Sequence, residues 1–237
     1  MMLYHGTSER NLKVILKKGL LPRSTSKRRT NWDRNPSHPE AVYLTNAYAG
    51  FYANASCKGR ERWAILEIDT DKLSPFAFAP DEDFLEQAGR KSDGIPGDIH
   101  QRLTALREDL DVIYGGDLES KYVALSLKHL GNCTYFGAIP LGAISRIALV
   151  DTKVAKPFVY WAFDPCILLM NYAVMGASYR NTLNWLFGKP LETDPVQEQM
   201  EKVSNRSRLP PNRDGIEIIE RCNHDHGRGL QQAAGCG

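Results

Sequence analysis

The sequence predicts an α+β protein with a mixed sheet, and three observations carry that prediction. Short apolar runs of strand character recur at residues 2–4, 41–45, 63–68, 133–136 and 144–150. Stretches with helical spacing separate them, without the regular beat of a βαβ array. The chain has 237 residues, 42% hydrophobic and 24% charged, enough to bury a full core.

Residues 2–4 read as a strand running into His5, Gly6 and Thr7. Gly6 lets backbone approach a ligand, and Thr7 is suited to cap the following helix, which leaves His5 projecting at a strand-to-helix junction. An isolated histidine is more often structural and bonded to nearby backbone, so its neighbours decide the matter. In the helix Leu12, Ile15 and Leu16 share a face, and Gly19 supplies the stop. Residues 41–45 repeat the design, with Tyr43 in a strand and Tyr52 inside the next helix.

Residues 63–68 form a buried strand ended by Asp69-Thr70-Asp71. After Pro80, Asp81-Glu82-Asp83 places acids in the first turn of a helix running to about Ala88. Ile99, Leu103, Leu106 and Leu110 repeat at helical spacing, and a helix over 120–130 precedes the last two strands. Beyond Asp151 large apolar groups dominate, with one or two helices over 166–187 ending near Gly188. A polar tail follows, with a linker at 209–212 before an apolar run at 216–219. We therefore divide the chain into a core over 1–151 and a helical extension with a polar tail over 152–237.

The net charge of +2 argues against a wholesale polyanion binder and directs attention to one local patch. Arg23, Lys27, Arg28, Arg29 and Arg34 surround Trp32, with Asp33 the only acid among them. The loop joins the first helix to the Tyr43 strand. It pairs cations for phosphates with an indole for stacking on a base, and it can also hold a pyrophosphate; such a run is otherwise simply a solvated loop. The five cysteines form no CxxC pair, and His224-Asp225-His226 lies in a Gly-rich tail, so no metal is expected. An odd cysteine count, no secretory leader and no apolar run approaching 18 residues predict a cytoplasmic protein with reduced thiols and no membrane partner.

Three blocks taken together resemble the ADP-ribosyltransferase superfamily: residues 3–7, residues 41–45 with 49–53, and residues 135–140 with 144–147. The diphtheria-toxin and poly-ADP-ribose-polymerase branch, with its His-Tyr-Glu signature, is nearest, and its bacterial nucleic-acid-modifying members look closest in layout. The resemblance covers roughly residues 1–151. It implies a split mixed sheet with flanking helices and NAD as co-substrate. His5, Gly6 and Thr7 then fall on the cofactor, with His5 bonding ribose hydroxyls, while Tyr43 and Tyr52 frame the nicotinamide.

The chain departs from that pattern at the glutamate, which in the family opens the strand leading into the Ile-Pro turn. Counting back from Ile139-Pro140 reaches Asn132 or Thr134, with no acid over 131–135. Either the loop with Asp117 and Glu119 supplies the carboxylate, or Asn132 replaces it with an amide. The resemblance thus implies a mono-ADP-ribosyltransferase with catalytic His5 and Tyr43, joined by Glu119 or Asn132. Arg23, Lys27, Arg28, Arg29, Trp32 and Arg34 would hold a nucleic-acid acceptor, RNA ahead of single-stranded DNA. A bacterial or phage-defence toxin restrained by an antitoxin fits this reading. The alternatives are a non-catalytic NAD or ADP-ribose binding module, an RNA 2′-phosphotransferase-like enzyme, and a protein-directed transferase.

Overall fold

A computed structural model describes residues 1–26, 37–58, 61–88, 94–98, 101–106, 108, 118–155, 168–193 and 213–221. Its centre is one seven-stranded sheet of order β4-β5-β2-β1-β3-β6-β7. The strands are β1 (Met2–Ser8), β2 (Ala41–Thr45), β3 (Trp63–Asp69), β4 (Phe78–Pro80), β5 (Asn132–Phe136), β6 (Ile144–Val150) and β7 (Ile216–Glu220). Every pairing among the described residues is antiparallel, which corrects the mixed strand direction expected from sequence. Strand runs separated by helices do not dictate direction, because a helix can return the chain to either end of the sheet.

The described helices are α1 (Glu9–Lys18), α2 (Arg23–Ser26), α3 (Ala49–Ser56), α4 (Glu82–Ala88), α5 (Leu118–His129), α6 (Thr152–Ala155) and α7 (Leu168–Leu186). Residues 101–106 are also helical, and the stretch 168–186 is a single helix. Leu12 and Ile15 of α1 pack with Leu3, Val42, Leu44, Leu66 and Ile147 on one face of the sheet. Leu16, expected on that buried face, is 40% exposed because the stripe runs through Leu12, Ile15 and Gly19 and leaves it on the flank. On the other face Tyr4, Ile65 and Ala148 meet Ala49 and Ala53 of α3 and Leu183 and Leu186 of α7. Strand β3 is therefore covered on both sides, which explains its uninterrupted apolar run.

Two expectations about the first element change. The β1–β3 ladder continues from Met2↔Asp69 to Ser8↔Trp63, so His5, Gly6 and Thr7 lie inside a strand and not at its end. Ser8 takes the N-cap position of α1 without a side-chain bond, and the Thr7 hydroxyl instead accepts from Asn11 Nδ2 at 2.7 Å.

The C-terminal segment adds β7 to the edge of the same sheet, paired with β6 from Arg146↔Glu220 to Val150↔Ile216. The chain after α7 is tied down by a buried charge on β3. Glu67, 1% exposed, accepts from Arg146 Nε at 2.6 Å and Nη2 at 3.0 Å, and pairs with Lys189 Nζ at 2.5 Å. Burial opposes ionisation of this carboxyl, but the bonds from Arg146 and Lys189 outweigh it and hold its pKa below the ordinary value. Lys189 also donates to the Tyr4 hydroxyl at 2.8 Å.

Candidate functional site

The narrowest joint in the sheet lies between β1 and β2. Seven residue pairs join β1 to β3, but only Tyr4↔Thr45 joins β1 to β2. Continuing that antiparallel register would set Gly6 opposite Tyr43, a pair that does not form. At this joint the His5 ring donates from Nδ1 to the Tyr43 carbonyl oxygen at 3.0 Å. The imidazole thus meets Tyr43 through its backbone, and part of the structural role open to an isolated histidine is realised. Strand alternation puts His5 on the face of Leu3, and Tyr43 and Thr45 on the face of Tyr4.

Gly6 has a structural reason that the sequence alone does not reveal. A Cβ there would lie 1.8 Å from the Ala49 carbonyl oxygen and 2.6 Å from the Ala53 nitrogen. The glycine lets α3 sit on β1, so the backbone that it admits is the protein's own. Thr45 fixes the start of that helix: its hydroxyl donates to the Gly131 carbonyl at 2.8 Å and accepts from the amides of Ala47 and Tyr48 at 3.0 and 2.9 Å.

These contacts aim Tyr52, on α3, at β5. Asn132, 2% exposed, donates from Nδ2 to the Tyr52 hydroxyl at 2.8 Å. Its Oδ1 is buried without a hydrogen-bond partner. Asn132 is the register partner of Thr45, so it shares a face with Tyr43. The Tyr43 hydroxyl accepts from the His38 amide at 2.6 Å and donates to Glu82 Oε1 at 2.6 Å.

Glu82 opens α4, and the turn that carries it is pinned beside Asn132. The Asp81 amide donates to Ser126 Oγ at 3.1 Å, and that hydroxyl donates to the Asn132 carbonyl at 2.7 Å. Asp83 donates from its amide to Asp81 Oδ1 at 2.9 Å. Burial, then the charges of Asp83 and Glu82, raise the Asp81 pKa well above the carboxylate range. Burial with Glu82 and Glu86 raises Asp83 to about 6. The Tyr43 phenol is pushed far up by burial and by Glu82 and Asp81, and the Tyr52 phenol by burial and by Asp81 and Asp83. Both phenols therefore stay neutral and act as hydrogen-bonding groups, not as bases.

Of the residues singled out from sequence, Tyr43, Tyr52 and Asn132 gather around one turn, with His5 at the adjacent joint. Thr7 is 4% exposed and engaged with Asn11. Arg23 lies in α2 and donates to the Ser37 carbonyl at 2.9 Å. Lys27, Arg28, Arg29, Trp32 and Arg34 lie outside the described residues, as does Asp117; Glu119 lies in α5, and its side chain is likewise outside them. The acids missed in the sequence are Asp81, Glu82 and Asp83, whose placement in a first helical turn offered a sufficient local explanation. The available signal was their number, since one acid is enough to complement a helix end. Among the described residues no group of His, Cys, Asp and Glu is arranged to hold a metal ion, and no helix is long and apolar enough to cross a membrane.

No family model matches the chain, and no curated protein matches it. Among solved structures the chain is similar to one named EcPltA, at 12% identity and a TM-score of 0.33, over 65% of this chain and 79% of that one. A likeness at that level carries no argument about fold or activity.

Proposed function

We propose that this protein is an NAD-dependent mono-ADP-ribosyltransferase whose acceptor is nucleic acid, RNA ahead of single-stranded DNA. The observation that carries the reading is the convergence of Tyr43, Tyr52 and Asn132, from three elements, on a carboxylate-bearing turn beside the His5 joint. The β1–β2 joint is where the split sheet of that superfamily would open. The residues suit the nicotinamide ribosyl half of NAD: ribose hydroxyls are donors, and the unpartnered Asn132 oxygen is a buried acceptor.

In the reaction the C1′–N bond to nicotinamide breaks with its electron pair leaving on the ring nitrogen. An acceptor lone pair forms the new bond to C1′, and the acceptor proton is lost to a base. Such a transfer passes through an oxocarbenium-like state, which carboxylate charge stabilises. Tyr43 and Tyr52, held neutral, supply ring faces and fixed hydroxyls. The loop with Arg28, Arg29 and Trp32 follows α2 in the chain and would bind the acceptor strand. A toxin role in the cytoplasm, restrained by an antitoxin, belongs to the same reading.

Incubation with NAD labelled in the adenylate half tests the proposal. Label on RNA or DNA, lost in His5→Ala and Tyr43→Ala, is the expected result. Label on protein would move the acceptor class, and a cyclic phosphate product would select the RNA 2′-phosphotransferase chemistry. Binding of NAD without nicotinamide release would select a binding module, the reading favoured by Asn132 at the head of β5.

A further inference from the structure

The turn at Asp81, Glu82 and Asp83 is rich in acceptors and poor in donors. Glu82 spends one oxygen on the Tyr43 hydroxyl, and among the described residues its Oε2 bonds nothing. Asn132, next along β5 from the Cys133 that pairs with Pro80, turns an unpartnered carbonyl oxygen into the same buried region. Tyr52 accepts from Asn132 and stands in the field of both aspartates. Among the described residues no Lys, Arg or His side chain bonds or pairs with any of the three acids.

Like charges gathered without a counter-charge are unfavourable, and a helix N-terminus offsets them only in part. Asp81 and Asp83 respond by holding protons. A ligand that relieves this arrangement must bring positive charge and hydrogen-bond donors. A phosphate or carboxylate would make it worse.

We propose that this turn is a cation subsite: Asp81, Glu82 and Asp83, with Tyr43, Tyr52 and the Asn132 carbonyl oxygen, take the positively charged, donor-bearing part of a ligand. On the NAD reading, on which this inference rests, that part is the oxidised nicotinamide ring with its ribose. Glu82, from the head of α4 and not from β5, is then the carboxylate facing the charge through Oε2. The subsite discriminates between NAD and NADH, whose rings have similar shape but differ by one positive charge. The anionic pyrophosphate lies away from this turn.

Equilibrium binding of NAD and NADH to the full chain, by calorimetry, tests the assignment with wild type and Glu82→Gln. Glutamine keeps an acceptor for Tyr43 while removing the charge, and a thermal melt checks the fold; Asp83→Asn serves if that variant does not fold. The expected result is NAD bound at least about tenfold more tightly than NADH, with most of the preference lost in the variant through weaker NAD binding. Equal affinity of wild type for both forms, or equal weakening of both by Glu82→Gln, would overturn the subsite and leave the NAD reading standing. Failure of wild type to bind either form would overturn the NAD reading, and the subsite with it.

Discussion

Gly6→Ala is the most informative single change, because one methyl group tests why the glycine is there and how Tyr52 is placed. The new Cβ would lie 1.8 Å from the Ala49 carbonyl oxygen, short of ordinary contact by about 1.6 Å, and the obstacle is helix backbone and not a flexible side chain. Helix α3 has to lift off β1 by roughly that distance, opening the contact now filled by the fully buried Ala49 and Ala53. Overpacking of this kind costs about 1–3 kcal/mol, and in a chain of this size lowers the melting temperature by roughly 3–10 °C. Because Tyr52 rides on α3, its bond with Asn132 should weaken and NAD affinity should fall. Gly142→Ala is the control, since its Cβ meets nothing within 4 Å and its φ is not in the left-handed region. Calorimetric melts of the three proteins check the expectation. A Gly6→Ala protein that melts with wild type and binds NAD equally well would refute both the packing argument and the placement of Tyr52.

Two further outcomes concern buried carboxyls of opposite behaviour. Glu67→Ala leaves Arg146 and Lys189 without their shared partner and should cost about 3 kcal/mol by urea denaturation at neutral pH. Since its folded pKa lies below the unfolded one, the contribution of Glu67 is present above the ordinary carboxylate range and is lost as pH falls through the folded value. Asp83 has the other sign: with its pKa raised from 3.8 to about 6, the folded state is favoured at low pH and loses stability as pH rises through that window. Asp83→Asn should therefore be more stable than wild type at pH 8, by about 1–3 kcal/mol, and gain little at pH 4. A gain of equal size at both pH values would contradict the burial argument.

Local pattern was a reliable guide to elements and a weaker one to their edges. The strand at 144–150 and the acid-led helix after Pro80 were readable because alternation and an acidic first turn are properties of neighbouring residues. The strand character of His5 to Thr7 was not, because it comes from pairing with β3, some sixty residues away. The same holds for Ile216–Glu220, an apolar run after a Pro-rich stretch that becomes β7 only because the edge of β6 is there to receive it.

The candidate site divides along that line. His5, Tyr43, Tyr52 and Asn132 could be picked out by residue type and order, since aromatic and imidazole side chains at the ends of apolar runs carry chemistry wherever they land. That Glu82 bonds a tyrosine 39 residues away, and Asn132 one 80 residues away, follows from strand order and from the pinning of α4 to β5 by Ser126. Sequence alone thus determined the periodicities, the stops and the supply of reactive groups, all of which depend on short-range geometry. Tertiary structure alone decided which acid stands beside the phenols and why Gly6 is a glycine, because both depend on backbone segments that meet only when the sheet closes around its core.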